Sequence, residues 1–99
     1  MKIIKGMTQD GQQAVENILA PYKKDYTFYY YGSRVKGNFS ALSDLDILVE
    51  GNMPREILSK LKYEFGESMK LPFIVNLSLR NSMDEYFYNL IQEDLVMVE

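Results

Sequence analysis

Stretches of helical and of strand period alternate along the 99 residues with little connecting chain between them, and this order narrows the possible folds more than any other feature. Residues 10–22 read as a helix: Ala14, Ile18 and Tyr22 recur every fourth position, with Val15 and Leu19 in the adjacent row. Asp10 with Gln13 resembles a capping box, and Pro21 followed by Lys23-Lys24-Asp25 closes the helix. The aromatic run Tyr26–Tyr31 reads as a strand ended by Gly32. Leu45–Glu50 reads as a second strand, with Leu45, Ile47 and Val49 on one face and Asp44, Asp46 and Leu48 on the other. Pro54 fits the first turn of a helix whose apolar stripe is Ile57, Leu58, Leu61, Phe65 and Met69, and Pro72 ends it. Phe73–Leu79 is a third strand. Ser82 with Glu85 reads as a capping box for a last helix carrying Met83, Phe87, Leu90 and Ile91, and Leu95–Val98 completes the pattern as a short strand. The order α-β-β-α-β-α-β predicts one α/β (α+β) domain over residues 1–99, a mixed sheet covered by helices.

Composition removes whole classes of chemistry. The chain has no cysteine and no histidine, which excludes a thiol nucleophile, a Ser-His-Asp triad, an imidazole base and an ordinary zinc site. Any metal must sit on oxygen ligands, which points to a hard cation such as Mg²⁺ or Mn²⁺ shared with a phosphate-bearing substrate. A net charge of −3 lacks the broad basic footprint of general nucleic-acid binding. Eight tyrosines without a basic groove read as core and sheet packing rather than as a base-stacking surface. No apolar run approaches the roughly 20 residues of a membrane span. The opening MKIIKGMTQDG has neither the apolar stretch nor the cleavage site of a signal peptide. The expectation is a cytoplasmic protein with no membrane association.

The polar window GSRVKGNFSALSDLD, residues 32–46, carries the chemistry. Residues two apart on a strand point the same way, about 6.6 Å apart along the backbone, so Asp44 and Asp46 aim their carboxylates at one region. A divalent cation relieves their repulsion; without one they are strand-start carboxylates on a solvated face. Gly32 permits close backbone approach, and Ser33 offers a hydroxyl and free N–H groups to an anion, or simply caps the turn. Arg34 and Lys36 add positive charge, and Gly37 lets the chain turn again. No Gly-Lys-Ser/Thr follows, so this is not a Walker P-loop.

Gly-Ser, a gap of ten residues between Ser33 and Asp44, and then Asp-x-Asp at a strand start resemble the signature of the minimal nucleotidyltransferases of the DNA polymerase beta superfamily. The fillings GSRVKG and SDLDILV look like that family's text, and the flanking helices and strands fall where the family has them. The resemblance implies a polymerase beta palm-like nucleotidyltransferase fold. In its site Gly32 and Ser33 hold the β and γ phosphates of a nucleoside triphosphate, Asp44 and Asp46 bind Mg²⁺, and Arg34 and Lys36 either neutralise phosphate or face solvent. An acceptor hydroxyl would attack the α-phosphate and pyrophosphate would leave.

One position departs from the pattern. Where the family has a third carboxylate on the next strand, this chain has Asn76, which shares a strand face with Ile74 and Ser78. An amide is a weaker ligand and takes no proton, so nucleotide binding could outlast transfer. The resemblance also implies a partner. Stand-alone domains of this kind pair with a helical HEPN toxin, as antitoxins that transfer AMP from ATP to a hydroxyl, a tyrosine, of that toxin. A competing class is a catalytically weakened fold that neutralises its partner by contact, with Tyr86 and Tyr88 as docking candidates. A weaker one is transfer to a small molecule such as an aminoglycoside, for which a homo-oligomer would supply the acceptor pocket.

Overall fold

The computed structural model describes residue 4 and residues 6–99. Helix α1 spans Gln9–Leu19 and runs into a single 3₁₀ turn at Ala20–Tyr22, where Pro21 is tolerated because it sits at the start of the turn. The cap differs from the Asp10/Gln13 expectation. Thr8 is the N-cap, its hydroxyl accepting from the Gly11 N–H at 2.9 Å, while Asp10 sits inside the first turn, where its charge suits the helix dipole.

Strand β1, Thr27–Tyr31, is followed at once by the short helix α2, Ser33–Lys36. Strand β2 is Leu45–Glu50 and α3 is Arg55–Glu67. Pro54 stands just outside α3 as its N-cap, and the helix ends before Met69, which is 98% exposed rather than part of the apolar stripe. Ser68 has extended backbone and turns the chain away before Met69 can reach the core. Strand β3 covers Val75–Leu79, α4 covers Glu85–Ile91 and β4 is Val96–Met97. Ser82 belongs to a 3₁₀ turn instead of a capping box. The N-cap of α4 is Asp84, whose carboxylate accepts from the Phe87 N–H at 3.2 Å. Arg80 fixes this corner by pairing with Glu85 at 2.9 Å and lying over the Tyr88 ring.

The four strands form one mixed sheet in the order β3-β2-β1-β4. Strand β1 is antiparallel to both β2 and β4, whereas β2 and β3 are parallel, with α3 as their crossover. The expected α+β architecture is therefore observed. One face of the sheet carries Phe28, Tyr30, Ile47 and Val49 into the main core, against Val15 and Leu19 of α1 and Leu61 and Phe65 of α3. The other face has a smaller cluster of Tyr31, Leu48 and Ile91, with Tyr29, Met83 and Tyr88 packed beside it. Tyr30 and Tyr31 are buried, in keeping with the packing role read from the sequence. Because the short α4 covers only part of this second face, Asp46, Asn76 and Ser78 remain uncovered or half-covered on it.

Among the described residues no helix is long and apolar enough to cross a membrane.

Candidate active site

Strand register assembles the site. Asp46 on β2 is paired with Tyr31 on β1 and with Asn76 on β3, so three adjacent strands bring these residues to one level of the sheet. Asp44 lies one residue before β2. Its Oδ2 and the Oδ1 of Asp46 both accept from the Asn76 side-chain amide, at 3.0 and 3.2 Å. Asn76 thus lies between the two carboxylates. Ser78, two residues on and on the same strand face, meets the Tyr31 hydroxyl at 3.2 Å.

Gly32 explains why the Gly-Ser turn is pressed against this group. Its φ of 86° lies in the region that side chains disfavour, and a Cβ there would run into the Oδ2 of Asp46. Glycine alone lets the turn reach the carboxylate. Ser33 follows as the first residue of α2; its hydroxyl has no hydrogen-bond partner among the described residues, and while the amides of Val35 and Lys36 donate to the Gly32 carbonyl at 3.1 Å, those of Ser33 and Arg34 have no backbone acceptor. Lys36, at the end of α2, is 3.6 Å from Asp94. A cleft of about 310 Å³ opens between α2 and α4, with Gly32, Ser33, Lys36 and Asp46 in its lining.

Arg34 takes neither of its two expected orientations. It is 2% exposed and turned inward. Its guanidinium donates to the carbonyl oxygens of Ser43 at 3.0 Å, Ala41 at 3.2 Å and Gly6, and it lies 4.2 Å from the centre of the Phe73 ring with Phe39 beyond. The cation ties down the loop that ends at Asp44. Arg34 is therefore a positioning residue, and the charge on the cleft side of α2 belongs to Lys36.

Burial raises the Asp46 carboxyl above the ordinary carboxylate range; the Asn76 hydrogen bond pulls it down, and the charge of Asp44 adds to the rise. Burial likewise raises the Tyr31 hydroxyl, against the Ser78 hydrogen bond and with Asp46 adding to the rise. A group whose acid form is favoured by folding costs stability once ionised, and that cost grows as pH rises from its unfolded toward its folded pKa. Asp46→Asn is accordingly expected to raise the melting temperature of the metal-free protein by a few degrees at pH 7 and by less near pH 4. Calorimetry in EDTA at the two pH values checks this; a lower melting temperature at pH 7 would contradict it.

The donor set suits a hard cation. Two carboxylate oxygens converge within hydrogen-bond reach of one amide nitrogen, and a half-turn of that amide presents Asn76 Oδ1 in its place. Among the described residues no three His, Cys, Asp or Glu side chains gather as a metal cluster, so the set is two carboxylates and one amide.

The structure brings Gly32, Ser33, Asp44, Asp46 and Asn76 together and places Lys36 on the cleft beside them. Sequence reading did not find the structural role of Arg34, nor Asp94 as the partner of Lys36. The Tyr31–Ser78 contact had a signal, since Tyr31 ends the strand before Gly32 and Ser78 shares the face of Asn76. Residues 13–98 match the family model described as a nucleotidyltransferase domain. Over 87 residues the chain is 36% identical to a Haemophilus influenzae protein described as "Probable protein adenylyltransferase MntA", an alignment covering 86% of this chain and 75% of that protein. The turn pressed on a carboxylate pair is thus carried by sequence kinship across nearly the whole chain, which belongs to the nucleotidyltransferase domain family and, within it, resembles the minimal, MntA-like members.

Proposed function

We propose that this chain transfers AMP from ATP to a hydroxyl group of a partner protein, a tyrosine of a HEPN-type toxin, and so acts as an antitoxin in the cytoplasm. The observation that supports this reading is the close approach of Gly32 to Asp46, which sets the Gly-Ser turn, read here as the phosphate site, against a carboxylate pair. The MntA relative, named as a protein adenylyltransferase, supports a protein acceptor.

In the reaction, the Ser33 hydroxyl, the amides of Ser33 and Arg34 and the Lys36 side chain bind the β and γ phosphates. Lys36 exchanges Asp94 for the triphosphate. Asp44, Asp46 and, with its amide turned over, Asn76 Oδ1 would hold Mg²⁺ or Mn²⁺, which would supply neutralisation of the triphosphate and of the leaving pyrophosphate. The acceptor oxygen forms a bond to the α-phosphorus as the bond to the β-phosphate bridging oxygen breaks. The acceptor proton passes to Asp46, the half-buried carboxylate of the site, because the Asn76 amide takes none.

The amide of Asn76 also favours a second reading, in which the chain binds nucleotide or toxin and neutralises by contact with little or no transfer. One experiment separates the two. The native chain and Asp44→Ala are incubated with α-³²P-ATP, Mg²⁺ and an extract of the source organism. The transferase reading expects a labelled protein band that falls about 100-fold or more in the variant. Label that is indifferent to Asp44 would overturn it. Silencing of a toxin partner by both forms without label would establish contact neutralisation.

A further inference from the structure

The cleft that holds Gly32, Ser33 and Lys36 has a second wall of different chemistry. On the α4 side it is lined by Phe87, Leu90 and Ile91. Ile91 is buried and anchors the helix on Leu48 and Tyr31, whereas Phe87 is 43% and Leu90 57% exposed. These two side chains hold apolar surface open to water next to a phosphate-binding turn, at a cost that a planar apolar ligand would relieve. The Phe87 ring makes an edge-to-face contact with Tyr31, centroids 6.1 Å apart at 76°, which braces it on one side of the cleft. Tyr86 is more exposed, at 73%, but does not line this cleft. The volume, about 310 Å³, is that of a small-molecule site, with Ser33 and Lys36 at one wall and Phe87 and Leu90 at the other, where Asp94 follows α4 and faces Lys36.

We propose that Phe87 and Leu90 of α4 form the nucleobase platform of this cleft, the base lying on the Phe87 ring and Leu90 while its phosphates reach Ser33 and Lys36. The proposal rests on the nucleotidyl-transfer reading and deepens it: affinity for the nucleoside half of the substrate comes from α4, and affinity for its phosphates from α2. Stacking tolerates any base, so the platform adds affinity without itself choosing among bases.

Isothermal titration with Mg²⁺–ATP and with Mg²⁺–tripolyphosphate, which has phosphates and no base, tests it on the full chain. Phe87→Ala should weaken ATP binding about five- to 150-fold and leave tripolyphosphate binding within about twofold of native. Phe87→Tyr, which keeps an aromatic face, should retain ATP affinity, and circular dichroism of both variants shows that α4 is intact. Native ATP affinity in a folded Phe87→Ala variant would overturn the platform while leaving the transferase reading in place. Equal affinity of the native chain for ATP and tripolyphosphate would overturn it too. If Phe87→Ala binds ATP normally but no longer modifies a partner protein, the surface docks the partner and the platform is wrong. If the native chain binds neither ligand, the nucleotidyl-transfer reading fails together with the platform.

Discussion

An Asn76→Asp variant is expected to transfer nucleotide about 10²–10⁴ times faster than the native chain in Mg²⁺. In the native site the Asn76 amide donates to Asp44 and Asp46 at 3.0 and 3.2 Å, occupying with a neutral group the point where the carboxylates converge. A cation there would have to turn the amide over, and the carbonyl it then met would be a weaker ligand than a carboxylate and no base. Aspartate supplies an ionised oxygen and a proton acceptor at the same strand position. The change has an opposite effect on the metal-free protein. It replaces two hydrogen bonds by repulsion among three carboxylates, which should lower stability by about 1–2 kcal/mol once the exposure of Asn76 is taken into account. Addition of Mg²⁺ should then raise the melting temperature more in the variant than in the native chain. Single-turnover label transfer and melting curves with and without Mg²⁺ measure both effects. An unchanged rate together with an unchanged Mg²⁺ response would remove position 76 from the chemistry of the site.

Replacing Arg34 by Met should be the most destabilising change in the polar window. The shorter, apolar methionine keeps an unbranched stem but leaves the carbonyl oxygens of Gly6, Ala41 and Ser43 without their donor and removes the cation from the Phe73 ring. A buried acceptor left unpaired costs about 1–3 kcal/mol, but Gly6 and Ser43 are only half-buried and Ala41 is exposed, so water meets part of the lost demand and the loss is expected near ~2–4 kcal/mol. That is a large part of the 5–15 kcal/mol typical of a domain. Release of the loop that ends at Asp44 should also reduce transfer about 100-fold at temperatures where the variant is still folded. Lysine keeps the charge but lacks the planar fork that serves several carbonyls at once, so Arg34→Lys should fall between native and Arg34→Met. Urea denaturation and low-temperature transfer assays test this; native stability of Arg34→Met would show that the guanidinium does not hold the loop.

The sequence made the strands and the reacting face legible because both depend on period. Alternation along Leu45–Glu50 separates Ile47 and Val49 from Asp46 and Leu48, and the two sides do go to different apolar clusters. The same alternation put Ser78 beside Asn76. Helix caps were less legible, since Thr8 and Asp84 compete with neighbouring Asp10 and Ser82 for the same role, and hydrogen-bond geometry rather than residue type decides between them. Met69 was misplaced because an apolar residue in phase with a stripe gives no sign that the helix has already ended. Arg34 was illegible for a different reason. A cation beside a Gly-Ser turn reads as a phosphate ligand, and the three carbonyls that instead satisfy it come from chain positions whose proximity only the folded loop creates.

Tyr31 and Asp46 line a second groove as well as the cleft between α2 and α4, and Asn76, Ser78 and Lys62 line that groove with them. In the proposed transfer, a carboxylate reached from two directions has no mouth that the first arrival must block. For a two-substrate transfer, this layout permits either substrate to bind first and lets the small product leave while the large acceptor stays in place.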